Sequence, residues 1–433
     1  MPQVRSPSAR TSLQCARFDP IAIFMTSRLL PLSFVLALLA GCATQTPAPA
    51  LPAAPAPVPA PVPQPVTPPP APVPPPAAEP VAPPRPAAVM PGYAPYPNEA
   101  AARAAVSRLL PARVRDRAGW TQDIVGAFTA LRLPYRLDYF CAAMAIIEQE
   151  SLWQADPVVP GLGKMVWKEI DKRREKYAIP KLVVDAAMLK SSPDGRSYRE
   201  RIDALKTERE MNALFGDMID ELPFGRTLLA DKNPIRTGGP MQVSVAFAEE
   251  QIREKPYPYP KKGPIRDEVF SRRGGLYFGI AILLDYPAPY SDMRYRFADF
   301  NAGRYASRNA AFQLALGRLA GERIAPDGDL MRYSGGDAVN GSQTQRAVLA
   351  MAGTLGLSSA DINRDLRLEK RAAFTSTATW KQVFALADRR FGHQPREAMP
   401  QIDLSGPKIQ RKLTTEWFAN RVDGRYRSCL ARR

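Results

Sequence analysis

Half of the prolines of this chain are crowded into one short stretch, and that bounds where a fold can begin. Of 46 prolines in 433 residues, 23 lie between Pro47 and Pro97, where only Glu79 and Arg85 carry charge. Proline fixes φ and has no N–H to donate, so such a stretch forms neither helix nor ladder and has too few large apolar side chains to bury. The folding part is therefore about residues 98–433, long enough for one large domain or two small ones. Its chemistry is narrowed by scarcity. His393 is the single histidine, which disfavours a Ser-His-Asp triad and rules out a multi-histidine metal site. Cys15, Cys42, Cys141 and Cys429 are too dispersed for a zinc knuckle. No phosphate-binding Gly-x-x-x-x-Gly-Lys loop and no dinucleotide fingerprint occurs. Neither a metal nor an organic cofactor is expected.

The segment before the prolines sets the expected compartment. From Met25 the chain reads MTSRLLPLSFVLALLAGC, with Arg28 ahead of the apolar run Leu29–Leu39. That run is short for a bilayer span and reads as a signal peptide. It ends in Leu39-Ala40-Gly41-Cys42, which resembles a bacterial lipobox. The resemblance implies a signal peptide over 1–41, translated either from Met1 with a long n-region or from Met25. Cys42 would then be the lipidated mature N-terminus. Ala43 is not the aspartate of the inner-membrane retention rule, so the expected location is the cell envelope, at the outer membrane facing the periplasm. Residues 42–97 would be a disordered Pro/Ala-rich tether, its proline tract semi-rigid, of polyproline II character, and reaching at most about 160 Å.

Charge and cysteines are read in that setting. The whole chain carries +17; without residues 1–41 it keeps 55 basic against 41 acidic side chains, or +14. A secreted lipoprotein meets no nucleic acid, so the expected polyanions are lipid headgroups and cell-wall peptides. The plain alternative is solvation of helix faces. In an oxidising periplasm Cys141 and Cys429 are a natural disulfide pair; the alternative is two separate buried thiols.

From Asn98 onward the pattern is helical almost throughout. Helices are expected at about 98–110, 121–130 (capped by Thr121), 136–151, 164–177, 181–190, 197–221, 241–253, 275–286 and 306–320. After the Gly- and Asp-rich stretch Asp327–Gly341 they resume at 342–355, 358–370, 377–391 and 407–422. Arg136–Ser151 is apolar on nearly every face until its last turn, as a buried central helix should be. The fold class is mainly α, with residues 326–433 either a separate helical domain or a segment packed on the first. A Cys141–Cys429 bridge requires packing.

Glu150 ends the apolar helix with Ile147, Ile146 and Ala143 on its face, so burial should raise its pKa toward that of a general acid. Glu148, on the face of Met144 and Cys141, is the competing carboxylate. Asp299 is a weaker second carboxylate for activating water, its plainer reading being a cap or surface aspartate. Tyr277 and Tyr305 are candidates for stacking on sugar rings, against the commoner reading of aromatics at helical spacing as core.

The order Glu150-Ser151, Gly239-Pro240-Met241-Gln242, Gly279 with Ala281 and Leu283-Leu284, then Phe300-Asn301-Ala302-Gly303 resembles the lytic transglycosylases and goose-type lysozymes. The chain also resembles a proteobacterial lipoprotein family of unknown function. The first resemblance implies a lysozyme-like domain over 98–325, with a helical insertion at about 163–235 and a C-terminal helical extension over 326–433. It implies Glu150 as catalytic acid and base, Ser151 helping to hold it, Met241 and Gln242 lining a glycan cleft, and Asn301 contacting substrate. The implied reaction cleaves the MurNAc–GlcNAc bond of peptidoglycan to leave 1,6-anhydroMurNAc ends, assisted by the substrate's own N-acetyl group. Departures are Pro240 for leucine, Phe300 for tyrosine, a Glu150-to-Gln242 spacing of 92 positions, and no match to the late Glu-Thr-x-x-Tyr signature. An active enzyme requires Glu150, Gln242 and Asn301 to converge on one groove. The rival expectations are a catalytically inactive peptidoglycan-binding lipoprotein and an envelope scaffold docking a protein partner through the basic insertion.

Overall fold

A computed structural model of the protein describes residues 93–222, 232–261, 263–334, 337–404 and 413–433. The expected signal peptide, lipidated Cys42 and most of the tether lie outside the described residues, as do 223–231 of the expected insertion. The described fold is mainly helical, with three short two-stranded antiparallel ladders.

The first core is built around α3 (Leu137–Glu150), in which every residue except Glu148 is buried. Its burial follows from its sequence, since a helix apolar all round has no face to give to water. Arg136 and Asp138 are also buried at its start. Their guanidinium and carboxylate are paired at 2.9 and 2.6 Å, so the desolvated charges are matched in a two-point contact. Around α3 pack α1 (Glu99–Leu109) and α2 (Arg117–Leu131). Asp116, not Thr121, caps α2, accepting the Gly119 N–H at 3.1 Å; Thr121 lies inside the helix and is buried. The chain then forms α4 (Leu162–Lys176), α5 (Lys181–Met188), α6 (Tyr198–Ala204) and α7 (Glu208–Asp220). The long helix expected over 197–221 is two helices. Ser197 with Glu200 and Thr207 with Glu210 each form a reciprocal capping box, and the second sets Thr207 in extended backbone and starts a new helix there.

Next comes a hairpin, β1 (Thr237–Gly238) with β2 (Val243–Ser244), whose turn is Gly239–Gln242. It leads into α8 (Val245–Glu254), α9 (Ile265–Val269) and α10 (Arg272–Leu284). The turn explains why the helix expected from 241 starts at 245. Arg272 ties α10 to α2 through Asp116 and Asp123 at 2.5 and 2.6 Å. A helix not expected from the sequence, α11 (Met293–Ala302), follows, then α12 (Ala306–Ala320). Between them Asp299 is fully buried. It accepts the hydroxyls of Tyr286 and Tyr290 at 3.0 and 2.7 Å and the backbone N–H groups of Tyr305 and Ser307 at 2.9 and 2.6 Å. It is the anchor of the α11–α12 turn, with no side open to water.

The second core begins on α12, ahead of residue 325, with Phe312, Leu316 and Leu319. It is completed by α13 (Gln343–Ala350), α14 (Ala352–Leu355), α15 (Ser359–Leu366), a 3₁₀ turn at Ala372–Ser376 and α16 (Ala378–Phe391), with the hairpin β3 (Arg332–Ser334) and β4 (Asp337–Val339) at its edge. After the pair β5 (Asp403–Leu404) and β6 (Leu413–Thr414), the last helix α17 (Thr415–Leu430) returns to the first core. It packs along α3 and α11. Cys141 and Cys429 are disulfide-bonded, their Cα atoms 5.4 Å apart, so the end of the chain is stapled to the central helix. No helix among the described residues is long and apolar enough to cross a membrane.

Candidate active site

Glu150 is the last residue of α3 and only 8% exposed. Ser151 closes the helix, its N–H and its hydroxyl both donating to the Ile147 carbonyl, at 3.0 and 2.9 Å. The chain then turns sharply through Leu152 and Trp153, at φ 51° and 68°, two successive left-handed residues that are not glycine. Such backbone is costly and persists only where packing imposes it. Here the Trp153 indole is seated edge-on against Trp120, with centroids 5.3 Å apart. The apolar enclosure pushes the Glu150 carboxyl up to about 8; the Arg425 charge on α17 opposes the shift and the Glu208 charge on α7 adds to it.

Glu208 is the link to the second motif. It is buried at the start of α7, where the N-terminal helix dipole favours a carboxylate. It accepts a hydrogen bond from Gln242 Nε2 at 3.1 Å. The same nitrogen reaches the Gly239 carbonyl at 3.3 Å, and Gln242 Oε1 accepts the Thr237 hydroxyl at 3.4 Å. Gly239 has φ 73°, and a Cβ there would come within 2.2 Å of the Val269 carbonyl, so this position admits only glycine. Met241 is fully buried against Gly279, whose missing side chain leaves room for the sulfur: an added Cβ would stand 2.4 Å from it. Met241 thus anchors the turn from behind and presents no surface to a ligand.

Glu150, Glu208 and Gln242 are therefore brought together across 92 positions of sequence. Asn301 is held differently. Its Oδ1 accepts the hydroxyl of Thr415 at 3.0 Å, at the first residue of α17. Arg425 is ten residues further along that helix, about 15 Å on. Asn301 thus meets α17, the helix whose Arg425 charge acts on Glu150. Tyr277 is enclosed by Tyr257, Tyr259 and Phe278, and Tyr305 by Tyr286 and the Arg308 guanidinium; both are core side chains. Glu148, the competing carboxylate, is paired with Arg113. A hollow of about 430 Å³ lies on the second core between Asp327, Arg332, Tyr333 and Thr344, and none of its lining residues belongs to the Glu150 group. Among the described residues no cluster of three or more His, Cys, Asp or Glu side chains is placed to hold a metal ion.

Two members of this group, Glu208 and Arg425, are not singled out by sequence. The Thr207–Glu210 capping box marks the helix start that holds Glu208, but nothing in the sequence pairs it with Glu150. Replacing Glu208 by glutamine removes a like charge, so the Glu150 titration should move down. The move should be the smaller part of the total shift, since burial is its first cause. Carboxyl-carbon NMR of Glu150 across pH 5–9 reads this directly; an unmoved midpoint would separate the two carboxylates.

Residues 113–432 match the family model described as "Protein of unknown function (DUF1615)", and the chain belongs to that family. It is 47% identical over 343 residues to "Uncharacterized protein YaiW" of Escherichia coli (strain K12), an overlap covering 78% of this chain and 93% of that protein. No solved structure is matched.

Proposed function

We propose that this member of the DUF1615 family is a lipid-anchored peptidoglycan lytic transglycosylase, with Glu150 as its acid and base on a lysozyme-like helical domain. The observation that carries the reading is a carboxyl enclosed at a helix end, pushed up to about 8, and coupled through Glu208 to the glutamine of the second motif. A group with that pKa is protonated roughly ten to one at pH 7. It can therefore give its proton to the glycosidic oxygen between MurNAc and GlcNAc. The GlcNAc leaves with its 4-hydroxyl formed, while the muramyl N-acetyl oxygen stabilises the cationic C1. The Glu150 carboxylate, favoured at that moment by Arg425, takes the proton of the muramyl 6-hydroxyl. That oxygen bonds to C1, closing the 1,6-anhydro ring and restoring the acid. No water is consumed.

A second reading, hydrolysis, is favoured by Glu208, a carboxylate beside Glu150 that would act as base toward water. Digestion of purified sacculi by the chain from residue 42 carrying Cys42→Ser, followed by mass spectrometry, decides between them. Anhydro-muramyl ends, absent with Glu150→Gln, are the expected result. Reducing ends lost in both Glu150→Gln and Glu208→Gln identify a hydrolase. Sacculus binding without any product would leave a silent binder, and the enzymatic reading would be abandoned.

A further inference from the structure

The hydrophobic pattern of α5 is turned outward. Val184, Asp185 and Met188 face the protein, and Met188 touches the first core. The opposite face is Leu182, Val183, Ala186 and Ala187, with Leu182 79% and Val183 57% exposed. Tyr177, Ile179 and Leu189 extend this exposed apolar surface at both ends of the helix. α5 has no buried residue at all. Single exposed aliphatic residues need no explanation, but a helix whose outward face is apolar over its length marks a contact surface.

The surroundings indicate what the contact is with. Between Lys164 and Lys190 the chain carries eight basic and four acidic side chains. Lys172, Arg173, Lys176, Lys181 and Lys190 are exposed around the patch. Arg173, Lys181 and Lys190 are paired with Glu169, Asp185 and Glu221 on the surface, and the excess of basic over acidic side chains leaves the rim net positive. The Lys176 ammonium stands over the Tyr177 ring, 5.7 Å from its centroid, where an aliphatic stem and a phenol ring flank the apolar face with their polar ends outward. Aliphatic side chains on one face, rimmed by lysine, arginine and an amphipathic aromatic, are the make-up of a helix lying in the interface of an anionic bilayer. The net positive rim around aliphatic side chains fits phosphate headgroups.

We propose that the α4–α5 corner is a membrane-docking surface that seats α5 among the headgroups of an anionic phospholipid leaflet, holding the domain against the bilayer in addition to any anchor at Cys42. The proposal does not depend on what Glu150 does. Its test is flotation of the chain from residue 42 carrying Cys42→Ser, which has no attached lipid, with vesicles of phosphatidylethanolamine and phosphatidylglycerol. Expected is binding that weakens steeply with salt, falls on phosphatidylcholine vesicles, and drops roughly tenfold for each of Leu182→Ser and Val183→Ser. Both side chains are exposed, so circular dichroism and thermal unfolding of these variants should match the parent. Glu150→Gln should float like the parent. Absence of flotation, or equal flotation of the Leu182→Ser/Val183→Ser double variant, overturns the proposal. So does a dimer in light scattering that the double variant dissociates while neither form binds vesicles, an outcome that would assign the patch to a second copy.

Discussion

Glu150→Gln is expected to abolish sacculus cleavage and, in the same molecule, to make the fold more stable above pH 8. The first effect is the loss of a group that must both give and take a proton, a loss of at least 10²–10⁴-fold in rate by the usual worth of general acid–base catalysis. The second follows from linkage. Unfolded, Glu150 titrates near 4.5; folded, it is pushed up to about 8 by burial. With the folded pKa above the unfolded one, the stabilising contribution of the bound proton is complete below about pH 4.5. It declines as the pH rises and is lost once the pH passes through about 8. Glutamine cannot ionise, so the variant avoids that decline, a difference on the order of 4 kcal/mol at pH 9. Glu369, buried beneath the Tyr333 hydroxyl and the Leu330 N–H and pushed up to about 7, gives the parent a second decline over part of the same range. The informative quantity is therefore the difference between parent and variant in urea unfolding at pH 5 and pH 9, not the slope of either alone. A parent–variant difference that is the same at pH 5 and pH 9 would show that the carboxyl is solvated, and the acid–base role would fall with it.

The sequence made some of this legible and hid the rest for identifiable reasons. Helix α3 was readable because an apolar run without a polar face leaves no alternative to burial, and Glu150 at its end follows. The turn holding Gln242 was readable as a motif but not as a hairpin. Gly239 and Gly279 are small because a carbonyl and the Met241 sulfur approach them, and both contacts come from distant segments. Helix α11 was missed because Met293–Ala302 interleaves arginine and aspartate with aromatics and follows two prolines, so its periodicity is weak; the buried Asp299 network that fixes its end is tertiary. Tyr277 and Tyr305 fell to the commoner reading, since spacing alone does not say which aromatic faces a ligand. The break at Thr207 was present in the sequence as a capping box, outweighed by charged helix formers on both sides. Glu208 and Arg425 illustrate the limit: each acts on Glu150 only because α7 and α17 fold back onto the end of α3.

That return of α17 bears on the other large effect. Cys141→Ala with Cys429→Ala is expected to cost the protein about 5 kcal/mol of stability, because the bridge closes a loop of 288 positions and the entropy it removes from the unfolded chain grows with the logarithm of that length. The loss should reach the site as well. α17 carries Arg425, whose charge opposes the rise of the Glu150 pKa, and Cys429 is buried one helical turn beyond it against Met144. Without the staple, the terminal turn of α17 keeps its side-chain packing on α3, while the Arg432 contact to the Leu109 carbonyl ties the residues just beyond the helix to α1. Fraying there withdraws Arg425, so the Glu150 titration should move up, opposite in direction to the effect of Glu208→Gln. Thermal unfolding with and without reductant reads the first effect, and carboxyl-carbon NMR of Glu150 in the reduced protein reads the second. A reduced protein that unfolds at the same temperature, with Glu150 unmoved, would mean that α17 is held by packing alone and that the bridge plays no part in shaping the site.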